Sequence, residues 1–98
     1  MEKKEKVFTR KLAKKMTGVT ITIPDGYTSV GAWAFFGNNT VKSITIPSGV
    51  TSIEHNAFYK CHNLAEVKIP AGITCIGEHA FRECLHLYVI VHLVHVLI

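Results

Sequence analysis

No stretch of this 98-residue chain is apolar over the roughly 20 residues that a membrane-crossing helix requires. The nearest candidate, "LHLYVIVHLVHVLI" from Leu85 to Ile98, has 14 residues and carries three histidines, so it reads as strand. Cysteine is scarce and odd in number, at three. No lysine-rich leader runs into an apolar stretch of about 7–15 residues, as an export signal would. Both absences argue against a disulfide framework and for a reducing compartment, cytoplasmic by default. The chemistry of catalysis is missing as well. There is no nucleophile elbow, no phosphate loop and no pair of carboxylates placed on one face, and the glycines are spaced for turns. A non-enzyme without a cofactor is expected.

Charge is absent from most of the chain in any net sense. Seven of the eleven Lys and Arg (Lys3, Lys4, Lys6, Arg10, Lys11, Lys14, Lys15) precede Met16, opposed only by Glu2 and Glu5. Beyond Met16, four cations (Lys42, Lys60, Lys68, Arg82) meet five acids (Asp25, Glu54, Glu66, Glu78, Glu83). The formal +4 is therefore a property of the leader. A basic arm of this kind suits acidic lipid or nucleic acid chemically. It lacks interleaved aromatics and any groove-reading motif, and no nucleic acid partner is expected.

What the chain does have is repetition. "ITIPDGYTSVGAWAF" opens at Ile21, "ITIPSGVTSIEHNAF" at Ile44 and "VKIPAGITCIGEHAF" at Val67, a period of 23. Registered as 21–43, 44–66 and 67–89, neighbouring copies share nine of 23 positions. A repeat of this length marks a solenoid, in which one unit buries its apolar face only when another stacks on it. Ile21/Ile23, Ile44/Ile46 and Val67/Ile69 alternate with Thr22, Thr45 and Lys68 in the period-2 pattern of a half-buried strand. Pro24, Pro47 and Pro70 end that strand, and Gly26, Gly49 and Gly72 follow where a tight turn often needs positive φ. A second short extended piece is expected to carry Tyr27/Val30, Val50/Ile53 and Ile73/Ile76 inward. The "AF" pairs at 34–35, 57–58 and 80–81 are spaced with Asn38/Cys61/Cys84 and Val41/Leu64/Leu87 to suit a short helical or 3₁₀ turn facing the core.

Three in-phase copies of "ITIPxGVTSIGxxAFxxCxxL" resemble the BspA-like class of leucine-rich repeat over residues 21–89. The resemblance implies a repeat solenoid of strand-plus-turn coils with strands on one face, working as a non-catalytic protein-interaction module. Members are typically long arrays, often on cell surfaces, and some are adhesins. A truncated piece of such a surface array, without independent function, is the alternative reading.

The organisation that follows has three parts. Residues 1–20 form a basic cap, with Phe8, Leu12 and Met16 at i, i+4, i+8 on an amphipathic helix closing the first coil. Residues 21–89 hold three coils, and 90–98 an apolar strand. In that strand the phase breaks, with His92 in the place of Ile69 and Leu93 in the place of Pro70. Such an apolar edge invites a partner strand, so residues 89–98 are the expected homo-oligomer contact. A cut-short array or a frameshifted tail would leave the same edge.

Cys61 and Cys84 fall in one slot of adjacent coils, about 5 Å apart. That spacing allows either a disulfide or a buried ladder; Asn38 in the same slot, and the use of Cys or Asn there in leucine-rich repeats, favour the ladder. His55, His62, His79 and His86 occupy four different slots, so stacking does not gather them for a metal. Partner-binding candidates are the variable positions. Thr22, Thr45 and Lys68 form one row on the strand face, with Thr20, Ser43 and Glu66 beside it. Trp33 and Phe36, with Tyr59 in the next coil, are aromatics that the template does not require. The bland reading of the three is packing under the cap or against a loop.

Overall fold

A computed structural model describes residues 5–93, with the side chains of 5–88. Each 23-residue copy is one coil, and the coils stack in parallel register. The strand that begins each copy builds one sheet from β2 (Thr20–Thr22), β4 (Ser43–Thr45), β6 (Glu66–Pro70) and β8 (Val89–Leu93). Ile21, Ile44, Val67 and Ile90 are partners across it. β8 supplies a fourth rung, and its out-of-phase residues sit as the count required, His92 beside Ile69 and Leu93 beside Pro70.

The second extended piece makes a sheet of its own, so strands line two sides of the coil. Its order is β1 (Val7–Phe8), β3 (Ser29–Val30), β5 (Ser52–Ile53) and β7 (Cys75–Ile76). Val30 and Ile53 point inward as expected and are buried, whereas Ile76 is 52% exposed because β7 is the sheet edge. Coil on coil, Gly77 lets the third lie down closely on the second. A Cβ there would stand 2.5 Å from the His55 nitrogen.

Between the two sheets the core is a column of rings. Phe35, Phe58 and Phe81 stack with centroids 5.3 and 5.2 Å apart and planes within 4°. Ile, Val and Ala from every coil pack around them. Burial of one such ring contributes about 2–3 kcal/mol, and stacking the copies in phase multiplies that.

The "AF" turns are not short 3₁₀ helices. Alternate N–H groups bond back three residues within the coil (Ala34 to Gly31, Phe36 to Trp33, Asn38 to Phe35). Those between donate to the next coil: Trp33 to His55, Phe35 to Ala57, Gly37 to Tyr59. The second coil repeats this onto the third, with Asn56 to Glu78, Phe58 to Ala80 and Lys60 to Arg82. Turning every other amide outward requires left-handed backbone at two slots per coil. They are occupied by Trp33, Asn56 and His79, and by Gly37, Lys60 and Glu83. Of the turn glycines, Gly26 has the expected positive φ, at 102°, but Gly49 and Gly72 do not.

The expected amphipathic helix at the N-terminus is replaced by a strand and a single helical turn. Phe8 lies in β1, paired with Val30, and its ring stacks on Phe35 at 5.9 Å. Only Arg10–Ala13 (α1) is helical, N-capped by the Thr9 side chain. Ala13 is buried beneath it, and Leu12 and Met16 pack at the rim. An open sheet edge and an open ring column both needed covering, and a strand carrying Phe8 covers both where a helix would leave the sheet edge unpaired.

Candidate interaction site

Three side chains named from the sequence come together. Trp33 meets Phe36 edge-on at 5.2 Å between centroids, and Tyr59 lies 5.9 Å from Trp33 and 5.5 Å from Phe36. The 23-residue register sets Phe36 and Tyr59 in one slot of neighbouring coils, and the turn brings Trp33 beside both. Trp33 is 38% exposed, while Phe36 and Tyr59 are half-buried. The aromatics form a surface patch and do not enter the core.

Arg10 joins this patch from the leader, which the sequence did not reveal. Its guanidinium lies over the Phe36 ring at 5.4 Å, and its Nη1 donates to the carbonyls of Trp33 (3.0 Å) and Phe36 (3.3 Å). The Phe36 carbonyl is the counterpart of Tyr59's, which accepts from Gly37 of the preceding coil. Arg10 therefore supplies the donor that a preceding coil would have given. On the other flank, Lys60 Nζ stands 5.4 Å over the Tyr59 ring. Beside the patch, Arg10, Ala13, Lys14, Met16 and residues 34–38 line an open groove of about 310 Å³.

The strand-face candidates form a separate row. Thr22, Thr45 and Lys68 are register partners on the sheet of β2, β4 and β6. Next to them the Glu66 carboxylate accepts from Ser43 Oγ (3.2 Å) and pairs with Lys68 (3.9 Å). The row is polar and shallow.

Cys61 and Cys84 are free thiols, each donating to a carbonyl one coil back, Phe35 and Phe58, at 3.0 Å. Hydrogen bonding with the Cys84 thiol and burial push the Cys61 pKa up, while the hydrogen bond with Cys61 holds that of Cys84 down. They are rungs of a ladder, and Asn38 fills the slot in coil one by accepting from Thr40 and Val41 amides. Among the described residues no group of three His, Cys, Asp or Glu could hold a metal, and no helix is long and apolar enough to cross a membrane.

The repeat agrees with a family comparison: the model described as "BspA type Leucine rich repeat region (6 copies)" matches residues 8–94. The chain belongs to this BspA-type leucine-rich-repeat family. The match begins at Phe8, the buried residue of the strand that closes the first coil. BspA-type repeats suggest a protein-interaction module, are typically non-catalytic scaffolds, and are associated with surface proteins. No curated protein and no solved structure matches the chain.

Proposed function

We propose that this BspA-type solenoid is a non-catalytic interaction module that pairs with a second copy of itself through the C-terminal end of the stack. One observation carries the reading: the third coil is built to be covered. The amides of His79, Phe81 and Glu83 occupy the slots that donate to a following coil in the first two copies, and none has an acceptor among the described residues. Ile76, Leu85 and Tyr88 stand 52%, 70% and 82% exposed around them. β7 and β8 are each the last strand of their sheets.

Because β1 and Arg10 already hold the β3 edge and the first turn at the other end, copies meet tail to tail, with the same surface on both sides, and such an assembly stops at two. β8 supplies the edge, in line with the contact expected at 89–98; residues 94–98 lie outside those described. The variable side chains Thr22, Thr45 and Lys68, and the patch of Trp33, Phe36 and Tyr59, are left for other protein partners.

Light scattering after size exclusion, at two concentrations, tests the pairing. A mass of twice 10.9 kDa is expected. Ile76→Lys, a charge on the exposed edge, should return the chain to monomer with its circular dichroism unchanged. A wild-type monomer would overturn self-pairing. An open-ended aggregate would overturn it in favour of an array whose next coil is missing.

A further inference from the structure

We infer that the groove beneath α1 and the aromatic patch beside it form one docking site for an acidic peptide segment that carries an aliphatic side chain between carboxylates. The inference rests on the chain being a protein-interaction module, but not on its self-pairing, which uses the opposite end.

The first argument is charge. The groove has an apolar floor of Ala13, Met16, Ala34, Phe35 and Phe36, and its only charged lining residues are Arg10 and Lys14. Lys60 borders the patch on the Tyr59 side. The ion pairs among the described residues are Lys68 with Glu66 and His79 with Glu78. Neither involves these three cations, so an acidic partner would meet positive charge that no carboxylate among the described residues pairs with. A volume of about 310 Å³ suits one or two side chains, which favours a peptide segment over a bulky ligand.

The second argument is conformational. The slot of Trp33 is left-handed in every coil, with φ of 62°, 56° and 60° at Trp33, Asn56 and His79. Asn and His are among the non-glycine residues that tolerate this conformation best, whereas a bulky side chain there is an outlier. Folding would be served by Asn in all three coils. The first coil instead carries the chain's single tryptophan, more than a third exposed, touching Phe36 and Tyr59. Strained backbone clusters at functional sites, and exposed tryptophan is enriched among binding anchors, so the two together favour this corner of the coil as the contact. Phe36 belongs both to the groove floor and to the patch, so the two are continuous.

The test is fluorescence anisotropy of a labelled Glu-Leu-Asp-Leu-Glu peptide titrated with the full chain. Saturable, salt-sensitive binding is expected. Trp33→Asn should weaken it by about thirtyfold, as loss of an aromatic anchor does, while leaving the melting temperature equal or higher. Lys14→Glu with Lys60→Glu should weaken it by about tenfold or more, again without loss of fold. A Lys-Leu-Lys-Leu-Lys peptide binding equally well would overturn the inference. So would a single-stranded oligonucleotide of matched charge binding more tightly, since the site would then be a general polyanion surface. No binding by any probe, with the dimer mass intact, would overturn this site while leaving the self-pairing reading standing.

Discussion

At the N-terminal end of the stack, the leader meets the edge of the sheet that β1 begins, the ring column and the first turn's carbonyls, and among the described residues leaves only the β2 edge of the other sheet open. At the C-terminal end most of these are not met. β1 pairs with β3, the edge of the sheet that runs on to β5 and β7; Phe8 lids the ring column, and Arg10 donates to the first turn's carbonyls. Lys6 completes the closure, its amide donating to Thr28 Oγ1 at 2.9 Å. In the third coil, Phe81 is half-exposed at the foot of the column, β7 has an unpaired edge and three turn amides face outward. Only the sheet of β2, β4 and β6 is continued there, by β8. Identical template residues thus have different surroundings according to which neighbour follows. Burial in a solenoid is a property of the stack, and the repeat alone does not confer it.

The sharpest way to break the comparison is to remove one ring from each end. Phe8→Ala empties a fully buried site and should cost about 3–5 kcal/mol, close to the whole stability of so small a domain. Phe81→Ala, at the open end, should cost about 1–2 kcal/mol, since solvent can fill the space. Urea midpoints measured for both decide it; equal losses would mean that the two ends are equally covered. Next in size is Arg10→Gln, which withdraws the charged donor from two carbonyls. A loss of about 1–2 kcal/mol is expected, with little recovery in Arg10→Lys, whose single ammonium lacks the planar fork. If high salt abolishes the difference between Arg10 and Gln, the contact is only surface charge, and the cap reading fails.

The smallest effect concerns the second left-handed slot. Glu83→Gly should raise the unfolding free energy by about 0.5–1 kcal/mol of relieved strain, and Gly37→Ala should lower it by a similar amount, both read from urea midpoints. Opposite signs at the two ends would establish that the slot is a fixed demand of the coil. A loss on Glu83→Gly would mean that the last turn relaxes where nothing lies beyond it.

The coil was legible in the sequence because its demands recur: Ile at alternate positions, then Pro, then Ala-Phe, 23 residues apart. The aromatic patch was half legible. Register alone puts Phe36 beside Tyr59, and three-residue spacing adds Trp33. The leader was not legible as a strand, because "VF" shares no template residue with the repeats and is held by main-chain bonds that any sequence can make. Phe8, Leu12 and Met16 imitate a helical face, yet the sheet edge claims Phe8 first. Arg10 was hidden for a similar reason, since its partners are carbonyls 23 and 26 residues away. The left-handed slots went unseen because Trp, Asn and His share no side-chain chemistry; what they share is a backbone angle. Conversely, Ile76 follows the template and still ends up in water.

The turn amides that point from each coil to the next give the stack a direction, as a row of hooks does. A hook engages whatever eye is brought to it, without altering the hooks before it. Lengthening by whole coils therefore asks nothing of the leader or of any residue upstream, provided the addition comes at the tail. Lengthening at the head would require Phe8 and Arg10 to give up their places. For this architecture, length grows in steps of one coil, each new coil taking up the amides of the one before.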